Sequence, residues 1–274
     1  MQVTMKDKPL KEQIKSYWDE RAEYYMADPA STTNDVYLRE LEILTITKVL
    51  KALLGSGLGS VLDVGCGEGY STLKVAQELQ PLSIRGVDYS ANMISMARER
   101  QAAFPILNAR LQFTVGDVLD LTSVDDNLYD AVISDRCLIN LESKADQRSA
   151  IREIALHVRP RGYYLAVENF VEGQEAMNRA REVFGLPPIP VRWHNLYFSE
   201  KEFLDFAAPH FDFIEFKDFA STYYLTTRVL YSALCRQTGA EIDYRHPIHQ
   251  LSVDMPWTGN FSPIRMAVLQ RKAA

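Results

Sequence analysis

A turn with three glycines, placed directly after a short apolar run, most constrains the fold of this chain. The run over 61–64 has the pattern of a buried strand, and Gly65, Gly67 and Gly69 follow it before a stretch typical of a helix. Glycine tolerates positive φ and lets backbone N–H groups come close to a ligand. Such a turn occurs where an open sheet binds a nucleotide, although a plain tight turn has the same pattern.

Short apolar runs alternate with helical patterns through most of the chain. This alternation predicts an α/β fold with a parallel sheet and crossover helices. Strands are predicted over 60–65, 83–88, 111–117, 129–134, 163–169, 211–216 and 264–272. Helices are predicted over 9–26, 35–54, 69–79 and 173–184, and after the capping serines Ser90, Ser143 and Ser199.

Two long segments, 171–210 and 221–260, interrupt the alternation after the fifth strand pattern. The second shows no clear element of its own. Insertions of this length are usually functional lids or disordered, and their many aromatic residues favour lids. We therefore predict one domain over 1–274, with an N-terminal helical lid (1–57), a cofactor-binding core (58–170) and two substrate caps formed by the insertions.

Acidic residues close the next two strand patterns. Asp88 stands 23 residues beyond Gly65, where a carboxylate can accept from ribose hydroxyls, and Asp117 can accept from an amine such as that of adenine. A dinucleotide loop needs a glycine where Tyr70 stands, and Asp63 would repel a pyrophosphate but suits a cationic amino group. The crevice thus favours adenosine joined to a cationic amino acid over a dinucleotide.

Taken together, VLDVGCGEG, the acid in GVDYS, and GDVLDL resemble the signature of the class I S-adenosylmethionine-dependent methyltransferases over residues 60–168. The resemblance implies a Rossmann-like, seven-stranded, mostly parallel sheet with the last strand antiparallel. It also implies S-adenosyl-L-methionine as cofactor and S-adenosyl-L-homocysteine as product. The cofactor-binding residues that it implies are Tyr25 in the lid, Asp63, Gly65, Cys66, Gly67 and Gly69 at the methionine, Asp88 at the ribose, Tyr89, Met93, Asp117 and Val118 at the adenine, and Ser134.

Two residues are candidate catalytic bases. His194 lies in the first insertion between Trp193 and Asn195, which are candidate substrate-binding residues. A hydroxyl acceptor gains from a base with a pKa near the working pH, although a histidine in a loop often serves only as a hydrogen-bonding residue. Glu168 ends the fifth strand pattern, either as a second base or as the partner that orients His194.

Further substrate-binding candidates follow the fourth strand pattern. Arg136 can fork onto a carboxylate or phosphate, and Asn140 can both donate and accept hydrogen bonds. Alternatively, Arg136 pairs with Asp135 or Glu168 to organise the loop.

The second insertion adds two more candidates. On a helix Tyr224 and Arg228 would share one face, which either packs in the core or presents a phenol and a guanidinium to the acceptor.

Composition excludes several classes of function. Net charge is −6, with 30 Lys and Arg against 36 Asp and Glu, so a nucleic-acid partner is not expected. No apolar run is long enough for a membrane span and no signal peptide is recognisable, so we expect a cytoplasmic protein without a membrane partner. Three cysteines without C-x-x-C or H-E-x-x-H spacing argue against a metal site.

The combined interpretation is a methyltransferase that acts on the hydroxyl of a small polar molecule, sugar-like or a natural-product intermediate. Two caps imply a closed pocket, which does not suit a protein substrate. N-methylation of a small molecule is the alternative, and a non-catalytic S-adenosylmethionine-binding partner subunit is the alternative of another class. The sequence leaves open whether the chain forms a homodimer.

Overall fold

The computed structural model describes residues 9–25, 33–55, 59–79, 82–104, 110–123 and 127–273. The alternating pattern folds into a sheet of seven strands in the order β3-β2-β1-β4-β5-β7-β6. β7 is antiparallel to both of its neighbours and the other pairs are parallel, which confirms the predicted fold class. The strands are β1 (Ser60–Val64), β2 (Ser83–Asp88), β3 (Arg110–Val115), β4 (Tyr129–Asp135), β5 (Val158–Asn169), β6 (Phe211–Lys217) and β7 (Ile264–Arg271).

The predicted N-terminal and crossover helices form, with ends within about three residues of the predicted ones. Ser90, Ser143 and Ser199 each accept a hydrogen bond from the backbone N–H three residues later, so all three predicted caps are confirmed. No helix within the described ranges is long and apolar enough to cross a membrane. The helices are α1 (Leu10–Tyr25), α2 (Val36–Leu54), α3 (Tyr70–Glu78), α4 (Ala91–Ala103), α5 (Lys144–His157), α6 (Val171–Val183), α7 (Glu200–Ala207), α8 (Ser221–Tyr224), α9 (Tyr231–Thr238) and α10 (Pro247–Val253).

The prediction that 221–260 has no element of its own is wrong. α8 continues through a π-helical segment, Leu225–Leu230, into α9, and α10 follows. Threonine and tyrosine are mediocre helix formers, so local propensity gives little signal here. Burial of Tyr223 and Val229, both with no exposed surface, supplies the missing stability. The Thr227 hydroxyl also donates to the Tyr223 carbonyl at 2.6 Å, an arrangement that often accompanies bent or widened helices.

Apolar side chains cover both faces of the sheet. Leu50 of α2 and Ile94 of α4 are fully buried in the cluster on one side, and Ile151 of α5 and Phe203 of α7 in that on the other. Burying each such side chain stabilises the fold by about 1.5–3 kcal/mol. Packing on both faces fixes the strands, so the carboxyl ends of β1, β2, β4 and β5 meet at one edge of the sheet. The strand order reverses at β1, which marks this edge as the place for a ligand.

Candidate functional site

The glycine turn holds its backbone in a conformation that other residues rarely adopt. Gly65, Gly67 and Gly69 have φ values of 74°, 54° and 74°. A Cβ on Gly65 would also lie 2.5 Å from the Cys137 sulfur, so no larger residue fits there. The N–H of Gly65 donates to the carbonyl of Val87 at 2.7 Å, which ties the turn to the end of β2.

Two buried carboxylates flank this turn. Asp88 accepts from the N–H of Gly67 at 3.0 Å and from that of Ser90 at 2.9 Å, while Asp63 accepts from the Thr72 hydroxyl at 2.6 Å. Burial raises the pKa of Asp88 to about 6 and that of Asp63 to about 7. A hydrogen-bond donor or a cation from a ligand would favour their charged forms.

Two adjoining cavities open at this edge of the sheet. The first, of about 320 Å³, runs beside the ends of β2 and β3 and is lined partly by Ile14, Val118 and Leu119. The second, of about 390 Å³, contains Asp63 and Gly67 and extends under the two insertions. They share the residues Gly65, Asp88, Tyr89, Cys137 and Asn140. One elongated ligand could therefore occupy the first cavity and reach into the second.

The first insertion is tied to the sheet by backbone hydrogen bonds. We call residues 194–198 the strap. The N–H of Leu196 donates to the carbonyl of Ile139 at 2.6 Å, and that of Phe198 to the carbonyl of Asn169 at 3.0 Å. The strap is thus fixed to the turn after β4 and to the end of β5, and these parts together form one wall of the larger cavity.

His194 opens the strap and is enclosed by aromatic rings. Its side chain lines the larger cavity, and the residue is 5% exposed. The ring stacks on Tyr17 with centroids 4.6 Å apart, and Trp18 lies edge-on at 5.7 Å. Burial and the nearby charges of Arg192 and Arg21 lower the pKa of His194 to about 4, so the imidazole is neutral at pH 7. Its Nδ1 has no hydrogen-bond partner among the described residues.

Glu168 lies beneath the cavity and not in it, which corrects the expectation that it serves as a base. Its carboxylate is fully buried and accepts from the Ser134 hydroxyl at 2.8 Å and from the N–H groups of Leu138 and Ile139 at 3.1 and 3.4 Å. These bonds direct it to the turn after β4, and none joins it to His194. Alternation along β5 is the physical reason, since the next residue, Asn169, lines the cavity instead.

Three more predicted site residues do not line the cavities. Ser134 is fully buried in β4 and bonds Glu168, and Gly69 starts α3, where a Cβ would meet the Phe113 ring. Trp193 points outward and is 57% exposed, because the strap turns only His194 inward. The side chain of Tyr25 lies outside the described residues.

The remaining predicted residues come together at the two cavities. The cofactor candidates that line them are Asp63, Gly65, Cys66, Gly67, Asp88, Tyr89, Met93, Asp117 and Val118. The catalytic and substrate candidates in the larger cavity are Arg136, Asn140, His194, Asn195, Tyr224 and Arg228. Residues far apart in the chain are therefore brought to one place, as the switch-point rule expects.

Both arginines predicted from the sequence to bind the substrate are paired. Arg136 has a positive φ of 51° and contacts Glu42 at 2.9 Å, with Asp135 at 3.5 Å, so its main partner differs from the two expected from sequence. Arg228 pairs with Asp35, which also caps α2. Each guanidinium is held in place before any ligand arrives.

Several lining residues received no role from the sequence, and three of them are instructive. Asp35 carried a signal, because an Asn-Asp pair before a helical pattern indicates an N-cap. Arg39 forms a buried ion pair with Glu68 at 2.9 Å, which local patterns do not reveal. Tyr197 lies in the strap, and its orientation depends on the bonds that fix the strap.

The chain resembles known proteins in sequence and in fold. Residues 61–162 match the family model described as methyltransferase domain. O-methyltransferase resE of Aspergillus sclerotiorum is 27% identical over 173 residues, which cover 60% of this chain and 61% of that protein. The match thus spans less than two thirds of that relative's own length.

Two solved structures share the fold. Magnesium protoporphyrin IX methyltransferase (ChlM) from Synechocystis PCC 6803, with bound S-adenosylhomocysteine, superposes with a TM-score of 0.61 at 14% identity, covering 96% of this chain and 100% of that one. The [4+2]-cyclase SpnF gives 0.56 at 21% identity, with 84% and 82% covered. Residues 61–162 thus carry a methyltransferase domain, and the strand order is that of the Rossmann-like methyltransferase fold.

Proposed function

We propose that this protein transfers the methyl group of S-adenosylmethionine to a hydroxyl of a small polar molecule, sugar-like or a natural-product intermediate. One observation carries the proposal. The neutral, buried and unpartnered His194 Nδ1 lies in the same cavity as the glycine turn and the carboxylates of Asp63 and Asp88. An imidazole that is neutral at pH 7, and so able to accept a hydroxyl proton, is thus kept beside the cofactor site; its pKa of about 4 makes it a weaker base than one that titrates near neutral pH.

The chemistry of the donors fits the cofactor. Asp63 suits its amino group and Asp88 its ribose hydroxyls, since both carboxylates are buried and gain from such partners. The smaller cavity suits adenine, with Val118 and Leu119 against the ring and Asp117 for its amine. When bound, the cofactor would supply an electrophilic methyl group on its sulfonium. S-adenosylhomocysteine would be the leaving group.

The chain's own residues exclude water and hold the proton. α1 lies over the cleft because Lys11 pairs with Asp117 at 2.9 Å and Asp19 accepts from Ser90 at 2.5 Å, so we assign it as the lid. His194 accepts the hydroxyl proton at Nδ1 as the oxygen–carbon bond forms. Removing water and fixing the acceptor strengthen the electrostatic interactions in the cavity and reduce the entropic cost of reaction.

The insertions supply the acceptor site in this proposal. Arg136 and Asn140 from the turn after β4, Asn195 from the strap, and Tyr224 and Arg228 from the second insertion line the cavity beyond the cofactor residues. Their mixture of amides, phenol and paired guanidinium groups suits a polar, uncharged molecule.

A methyl-transfer assay tests the proposal. The protein is incubated with methyl-labelled S-adenosylmethionine and small hydroxyl compounds, each beside its amine counterpart, and products are identified by mass spectrometry. We expect labelled ethers together with an equal amount of S-adenosylhomocysteine. If the label is found only on amines, the protein is an N-methyltransferase and the O-methylation proposal is wrong. Retained cofactor without transfer to any acceptor would indicate a non-catalytic binding subunit.

A further inference from the structure

Three polar atoms on the wall behind the acceptor site lack hydrogen-bond partners. They are Asn140 Oδ1, Asn169 Oδ1 and His194 Nδ1, each buried and each belonging to a residue that lines the larger cavity. Asn169 and His194 are only 4% and 5% exposed. Buried polar groups in folded proteins nearly always have a partner, so a ligand is the natural one for these three.

The two asparagine side chains have a defined orientation. The amide nitrogen of Asn140 donates to the carbonyl of Arg136 at 2.7 Å, and its buried Oδ1 has no partner. Burial raises the pKa of Tyr197, and hydrogen bonds from the amides of Asn169 and Asn195 partly offset that rise. The buried Oδ1 atom of Asn169 has no hydrogen-bond partner among the described residues. Both free atoms are acceptors, so each requires a donor from the ligand.

One small molecule can reach these atoms together. The strap bonds to Ile139, next to Asn140, through Leu196, and to Asn169 through Phe198. Two residues of chain span at most about 7 Å, which limits the separation of the two anchoring points. His194 begins the same strap, so the base and both acceptors lie along one rigid wall.

We infer that the methyl acceptor presents at least two hydrogen-bond donors, as a diol, catechol or polyol does. This inference rests on the proposed function and deepens it. The reacting hydroxyl bonds His194 Nδ1, and a second hydroxyl donates to Asn169 Oδ1 or Asn140 Oδ1. A carboxylate has no donor at neutral pH and leaves all three acceptors unpaired, and a simple alcohol has one donor and leaves two unpaired, whereas a diol leaves at most one. A site built for hydroxyl groups rejects analogues that lack them.

Matched compounds test this inference on protein loaded with S-adenosylhomocysteine. Catechol is compared with phenol, myo-inositol with cyclohexanol, and decanoate represents carboxylates, with binding measured by calorimetry. The same compounds are then offered with methyl-labelled S-adenosylmethionine. We expect at least one two-donor compound to bind roughly tenfold or more tightly than its one-donor match, because one buried acceptor is left unpaired otherwise.

Substitutions in the cavity wall test whether its unpaired acceptors cause the preference for two-donor compounds. Asn169→Leu should remove the tenfold difference while the affinity for S-adenosylhomocysteine, which also reports folding, stays unchanged. Asn169→Ala serves the same purpose if Asn169→Leu does not fold. Gln112→Leu, on the outer strand β3, removes an amide away from the cavities and should keep the preference.

The outcomes separate this inference from the proposed function. Tighter binding of two-donor compounds without methyl transfer would keep the inference and reject the methyltransferase proposal. Methyl transfer to phenol, cyclohexanol or decanoate as fast as to their partners would keep the proposal and overturn the inference. Equal binding within each pair, or no binding by any compound, would also overturn it.

Discussion

The core and the insertions hold their functional residues in different ways. In the core, the contacts that shape the cofactor site join residues close in sequence: Gly67 bonds Asp88, 21 residues away, and Thr72 bonds Asp63, nine residues away. Around the acceptor cavity, Arg228 and Tyr223 both reach Asp35, across 193 and 188 residues. The cofactor site thus follows from local turns and strand ends, whereas the proposed acceptor site depends on long-range packing.

This difference implies that the core and the insertions have separate functional roles, which mutations can test. Changes in the core should alter the affinity for the cofactor, and changes in the strap should alter the rate of transfer. The two roles are not separate if core substitutions alter the transfer rate at saturating cofactor, or if strap substitutions alter the affinity for the cofactor.

The largest effect is expected for His194→Ala. Loss of a general base lowers kcat by roughly 10²–10⁴-fold. Cofactor affinity should not change, because none of the described hydrogen bonds of the glycine turn involves this ring. Single-turnover kinetics with any accepted hydroxyl compound measures the rate, and His157→Ala in α5 is the control. A fully active His194→Ala would leave catalysis to positioning alone.

Asp88→Ala should give the complementary result. Removing hydrogen bonds to a charged group costs about 1.5–3 kcal/mol, which weakens cofactor binding roughly 10- to 150-fold. At saturating cofactor kcat should be nearly that of the wild type. Calorimetry with S-adenosylhomocysteine measures the affinity, and an unchanged value would contradict the assignment of Asp88 to the ribose.

The functional residues of the core could be predicted from the sequence more completely than those of the insertions, because the contacts of the core are local in sequence. The glycine turn, Asp88 and the helix-capping serines act through nearby backbone, so their pattern indicates their role. Glu168 shows where sequence patterns stop being informative. The position of β5 in the sheet determines that Glu168 supports the turn after β4 while Asn169 lines the cavity, and no local pattern reveals that position.

In the second insertion local patterns were misleading. The segment from Ser221 to Thr238 is helical because Tyr223 and Val229 are buried against the rest of the molecule. Trp193 and His194 are adjacent aromatic side chains in the sequence, yet the strap exposes one and buries the other. Contacts across most of the chain decide such positions, and a single sequence does not contain them in readable form.

A smaller effect is expected at the joint between the two regions. Gln147 of α5 donates to the carbonyls of Leu138 at 3.0 Å and Leu196 at 2.7 Å, linking the turn after β4 to the strap. Gln147→Met removes both bonds, which are worth about 1–2 kcal/mol together, and should lower kcat/KM roughly 5- to 30-fold. Binding of S-adenosylhomocysteine should be unaffected. Steady-state kinetics and calorimetry on the same preparation test both statements, and loss of cofactor binding would show that the regions are not separable.

A further expected effect is a pH dependence of stability in the ligand-free protein. Burial raises the pKa of Asp63 to about 7, of Glu168 to about 7 and of Asp88 to about 6, so the folded state keeps protons that the unfolded chain releases. Stability should therefore rise as pH falls from about 8 to about 5, because the three raised carboxyl pKa values outweigh the lowered pKa of His194, which acts in the opposite direction. Thermal unfolding across this range measures the trend. Asp63→Asn should reduce the slope, and a wild-type Tm that falls over the same range would contradict the raised pKa values.

Calorimetric titration of the wild-type protein tests the central claim most directly. S-adenosylmethionine, S-adenosylhomocysteine and NAD are titrated separately, after mass spectrometry has shown the protein to be free of co-purified cofactor. The structure predicts binding of the first two at about micromolar Kd or tighter, about 8 kcal/mol, and no binding of NAD. Binding of NAD, or no binding of either methyl cofactor, would contradict the assignment of the strand-end cavities.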